Sequence, residues 1–115
     1  MVFLVSKRKL FLFLQYVGLL ELKAKDFKVL LYLLPYLSFE NYRKVSQKDL
    51  KHEMKMSKSD VSKAISRLIE NNVLKSNPAS KYKTKNKELK LYDYDLEELE
   101  NMVDELVEED WIDED

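Results

Sequence analysis

The order of apolar and polar positions along the chain changes period several times, and each change marks an element. Residues 10–16 form a nearly unbroken Phe/Leu run ending at Tyr16. Such a run fits strand and helix alike; the reading favours a strand at 10–16, broken at Gly18. From 23 to 37 the period becomes helical. Phe27, Leu30, Leu31, Leu34 and Leu37 recur three and four apart, with Asp26 near the start. Pro35 brings no N–H, so it ends or kinks this helix near Leu34. Residues 38–45 then read as a loop or short extended stretch.

Two segments with the same grammar follow. Ser46 with Asp49 three residues on, then Ser57 with Asp60, are cap signals close to the capping-box pattern. After the first come Leu50 and Met54. After the second come Val61, Ile65 and Leu68, with Ala64 and Ile69 flanking them. This predicts a helix of about eight residues, a tight turn at Lys55 and Met56, and a helix of about 14 residues closed at Asn71 and Asn72. Pro78 and its polar neighbours mark a turn. Alternation on both sides of it predicts a hairpin from near Val73 back through Tyr94. Asp95 then caps a last helix with one apolar stripe: Leu96, Leu99, Met102, Val103, Leu106 and Val107. The rest of that helix is acidic, and residues 111–115 read as an acidic trailing end.

Composition narrows the chemistry. The 115 residues suit one domain, and 45% apolar content suffices for a core. With no cysteine, a single histidine (His52) and a single glycine (Gly18), the chain has no disulfide framework, no thiolate metal site and no glycine-rich phosphate loop. A His-containing triad or a multi-His metal site is nearly excluded. No enzyme, metal or other cofactor is expected, and His52 reads as a surface residue. The uncharged run at 10–20 is too short to span a membrane and is not followed by a secretion-type cleavage site, so a cytoplasmic location is expected, with no membrane partner and no small-molecule ligand.

The net charge of −1 hides a division. All 20 Lys and Arg residues lie in 1–90 against eight acids, a net of +12; residues 91–115 hold 13 acids and no base. A basic body joined to an acidic end points to an anionic partner. The second capped helix shows where that partner would sit. Its aliphatic side chains point one way, whereas Lys58, Ser59, Ser62, Lys63, Ser66 and Arg67 point the other. Small hydroxyls let a backbone approach base edges, and Lys and Arg donate to guanine or phosphate. An ordinary amphipathic surface helix has a similar pattern; the caps, the order of elements and the charge favour DNA. In the hairpin, Lys81, Lys83, Lys85 and Lys87 alternate along one side, suited to phosphates or to protecting a sheet edge. Arg43 and Lys44 are weaker phosphate candidates.

Residues 45–74 resemble the helix-turn-helix core of bacterial winged-helix regulators. They are also similar to the winged helices of plasmid and phage replication proteins of Gram-positive bacteria, and the match covers about 26–75. The resemblance implies a mainly α (α+β) winged helix-turn-helix fold. It maps recognition positions onto Lys58, Ser59, Ser62, Lys63 and Arg67. One departure is Lys55, which stands where the family's turn usually carries glycine. The expected organisation is an N-terminal strand or interaction segment (1–22), a winged-helix DNA-binding domain (23–94) and a C-terminal acidic amphipathic helix with its tail (95–115). The expected function is sequence-specific binding of double-stranded DNA in transcription regulation. A plasmid or phage replication or partition factor, and a winged helix used for protein contacts, are the alternatives. The last helix either packs on the 24–37 helix or forms a dimer seam, with the N-terminal segment as a second seam; a homodimer is expected.

Overall fold

The computed structural model describes residues 2–78 and 86–112. The chain divides into two compact units, one made of 1–21 with 94–115 and the other of 22–93. The architecture is mainly helical with one small antiparallel sheet, an α+β arrangement.

The first unit joins the two ends of the chain. Helix α1 (Val2–Gly18) and helix α5 (Leu96–Ile112) pack against each other. Arg8 Nη2 donates to Glu100 Oε1 at 3.1 Å, and the rings of Tyr16 and Tyr94 meet edge-on with centroids 5.5 Å apart. Chain position rises on one helix as it falls on the other, so the pair is antiparallel. Phe13, Val17, Leu99 and Val103 are buried between them. The expected strand at 10–16 is therefore a helix. Its residues include no β-branched side chain, and Leu is a good helix former. Because nearly every position is apolar, a period of two had no polar residues to display it. Burial shows the helical period instead: Phe13 and Val17 are four apart, whereas Phe11 and Gln15 are exposed. The stripe on α5 finds its partner in α1, a partner that a strand at 10–16 does not offer. The separate terminal segments expected from the sequence are one unit.

The second unit begins with helix α2 (Ala24–Leu33), followed by a 3-10 turn over Leu34–Tyr36. Pro35 ends the α-helix where expected. Strand β1 (Arg43–Ser46) leads into helix α3 (Gln47–Met54), then helix α4 (Lys58–Glu70), strand β2 (Leu74–Ser76) and strand β3 (Asn86–Leu91). The sheet order is β1-β3-β2, antiparallel throughout. Val45 lies opposite Lys87, and Leu74 lies opposite Leu91. The hairpin expected after Val73 is β2 with β3. Its third partner, β1, falls in the stretch read as loop or short extended chain. Helix α4 packs on both α2 and α3. Val29, Leu30, Val61, Ala64, Ile65, Leu68, Val73, Leu74, Leu89 and Leu91 make the core of this unit, each nearly or wholly inaccessible. Among the described residues, no helix is long and apolar enough to cross a membrane.

Candidate nucleic-acid interface

The placement of α4 starts at its two ends. Ser46 and Ser57 both act as predicted: each hydroxyl accepts the N–H three residues on, from Asp49 at 3.2 Å and from Asp60 at 3.0 Å. Between the helices, Lys55 adopts the left-handed conformation (φ 53°, ψ 43°), and both its own N–H and that of Met56 return to Lys51 O. Met56 is buried beneath the turn. The turn is thus tight without glycine, and a lysine carries the backbone cost. At the far end Asn72 is also left-handed (φ 57°), and Val73 N–H reaches back to Leu68 O at 2.9 Å, the cap geometry expected of Asn.

These ends fix which way α4 faces. Val61, Ala64, Ile65 and Leu68 have no exposure at all. Lys58, Ser59, Ser62 and Lys63 are exposed, and Ser66 is half-buried at the border. The open side therefore holds two hydroxyls and two ammoniums over its first two turns. The helix N-terminus adds its own positive end there.

Arg67 has a different employment from the one expected of it. Its Nε donates to Asp26 Oδ1 and Oδ2 at 2.8 and 2.9 Å, and its Nη2 lies 2.8 Å from Oδ1. The Arg67 side chain is 28% exposed and the Asp26 side chain 0%. Asp26 Oδ2 also accepts the N–H of Lys23 at 3.0 Å, closing the start of α2. Burial alone would push the Asp26 carboxyl up. The Arg67 guanidinium, the Lys23 N–H and the nearby positive charges outweigh it and hold the group below its ordinary value. Arg67 is thus a cross-brace between α4 and α2, not an open groove-facing cation. A recognition-helix pattern shows which residues leave the core side. It does not show that a carboxylate 41 positions away will claim one of them.

A second pair flanks the first turn of α4. Lys25 Nζ lies 2.8 Å from Asp60 Oδ2 at the surface. The hydrogen bonds from Lys25 and within the Ser57 cap lower the Asp60 carboxyl pKa. That leaves Lys58 and Lys63 as the α4 ammoniums that form no close ion pair among the described residues, although the Lys63 charge also helps to lower Asp60.

The remaining expected contacts lie on the sheet. Arg43 is exposed on β1 and its Nη1 donates to Tyr36 O at 3.3 Å. Lys44 is exposed beside it. Lys87 belongs to β3, opposite Val45. Lys81, Lys83 and Lys85 lie outside the described residues. Charge follows the two units. Residues 22–93 hold 17 Lys and Arg against eight acids, a net of +9, whereas the other unit holds three against 13, a net of −10. Among the described residues no cluster of three or more His, Cys, Asp or Glu side chains could hold a metal ion. Comparison with models of protein families, with curated proteins and with solved structures finds no match.

Proposed function

We propose that the protein is a winged helix-turn-helix that binds double-stranded DNA, with α4 entering the major groove. One observation carries the reading: α4 keeps Lys58, Ser59, Ser62 and Lys63 open while its opposite side is wholly sealed. An α-helix fits the major groove, and a side of short hydroxyls and cations permits close approach to base edges and phosphates. The +9 charge of the unit that presents α4 supports an anionic partner. In this reading α3 braces α4 from behind, β2 and β3 are the stem of the wing, and Arg43, Lys44 and the hairpin lysines contact phosphates. The protein acts in the cytoplasm as a homodimer that regulates transcription, without catalysis or cofactor.

The test is fluorescence anisotropy with a duplex selected from a random pool, measured across a salt series. Affinity should fall steeply with salt. Lys63→Ala should weaken binding and reduce the log–log salt slope by about 0.9. Loss of a base-reading contact should cost about 1–3 kcal/mol and relax one position of the selected site. A two-fold symmetric site with half-sites ~34 Å apart would support the dimer; an array of direct repeats would favour a replication or partition role. No salt-dependent duplex binding, or an unaltered affinity for Lys63→Ala, would refute the proposal.

A further inference from the structure

Helix α3 separates its charges onto two sides. Asp49 and Glu53, one turn apart, face Tyr32: burial first, then Glu53, then Tyr36 and last Asp49 raise the Tyr32 phenol above its ordinary value. Gln47, Lys48, Lys51 and His52 occupy another side, where together with Lys58 from the start of α4 they line a groove of about 350 Å³. Gln47 and Lys51, and likewise Lys48 and His52, are four apart and therefore neighbours on the helix surface. None of Lys48, Lys51 and Lys58 has a carboxylate partner among the described residues.

Gln47 gives the groove its direction. It is only 7% exposed, and its amide has no hydrogen-bond partner among the described residues. Yet among those residues no fully enclosed side-chain nitrogen or oxygen goes unsatisfied. Neither polar atom of the Gln47 amide is therefore fully enclosed, and Gln47 lines the groove. A nearly buried amide with open donors, ringed by three unneutralised ammoniums and an imidazole, suits a compact oxyanion. Ammonium-to-phosphate bonds are charge-assisted, and the amide adds a directed donor.

We infer that this groove is a binding site for a phosphate-class oxyanion. The site is defined by α3 and the start of α4, whatever supplies the ligand: a DNA backbone phosphate, which would deepen the duplex reading and rest on it, or a free phosphoryl group.

The experiment is an NMR titration of the full chain with inorganic phosphate, at ionic strength held constant with chloride. The Gln47 side-chain amide and His52 resonances should shift and saturate. Lys48→Ala with Lys51→Ala should weaken that binding by about tenfold, within the range for lost charged hydrogen bonds. Lys75→Ala, exposed on β2, should leave it unchanged. Both lysines of the double variant are exposed, and its spectrum reports folding directly; Lys48→Gln with Lys51→Gln is the alternative if dispersion is lost. In a second arm, a duplex salt series separates the sources. A slope lower by about 1–2 in the double variant assigns the groove to backbone phosphates. Saturable phosphate binding with an unchanged slope, or with no duplex binding at all, assigns it to a free phosphoryl ligand. Non-saturating shifts spread over all lysines, or equal binding by the double variant, would overturn the inference.

Discussion

Replacing Asp26 by Ala tests the brace between α2 and α4. The substitution removes both oxygens that receive Arg67 Nε and the oxygen that receives the Lys23 N–H. Breaking a buried ion pair costs roughly 3–5 kcal/mol, chiefly because one charge is stranded away from water. Here the carboxylate is the wholly buried member and is itself deleted, while the guanidinium left behind is part-exposed and can rehydrate. The loss should therefore sit at the lower end, about 3 kcal/mol. That is a large share of the roughly 5–15 kcal/mol that holds a domain together. For a chain of this size it lowers the thermal midpoint by about 12 °C. Asp26→Asn keeps an acceptor for the Lys23 N–H but not the charge, so about half the loss should remain. Urea denaturation followed by circular dichroism measures both. Because the folded carboxyl is held below its ordinary value of 3.8, its contribution is complete above that pH. It fades as pH falls through the depressed folded value. The gap between wild type and Asp26→Asn should therefore narrow below about pH 4. A loss for Asp26→Ala under about 1 kcal/mol, as for an exposed pair, or a gap constant down to pH 2, would refute the reasoning.

Three further outcomes are expected. Lys55→Gly should raise stability by about 0.5–1 kcal/mol, since glycine adopts the left-handed turn without the Cβ penalty; a lower denaturation midpoint would count against the strain. Ser57→Ala should cost about 1 kcal/mol through the lost cap of α4, read from the same urea curves, with no loss meaning that the hydroxyl is dispensable. Removing residues 108–115 takes away six acids and shifts the net charge from −1 to +5. Duplex affinity should rise at low salt and converge with that of the full chain at high salt; equal affinity at low salt would show that the acidic end does not oppose DNA.

What the sequence disclosed, and what it withheld, follows from how local each determinant is. The caps at Ser46 and Ser57, the turn at Lys55, the stop at Pro35 and the inward row from Val61 to Leu68 are decided within a few residues. All of them stand where the pattern put them. The α1 helix was illegible because its Phe/Leu run has too few polar positions to reveal a period. Strand β1 gains its identity only from pairing with β3, 40 or more residues on. In the candidate site, Lys58, Ser59, Ser62 and Lys63 were readable from helical phase alone. Arg67 was not, because its fate depends on Asp26. The Gln47 groove was hidden for the same reason: four of its residues share α3, but Lys58 reaches it only once the turn has folded α4 back.

The pairing of α1 with α5 has a consequence for synthesis. One member leaves the ribosome well before the other, with 77 residues between Gly18 and Leu96. At cellular elongation speeds of about 5–20 residues per second, the early helix waits roughly 4–15 s for its mate. During that interval Phe13 and Val17 have no α5 to cover them. A message broken before the codon for Leu96 would leave α1 with a greasy, permanently unmatched side, a natural mark for chaperones and proteases.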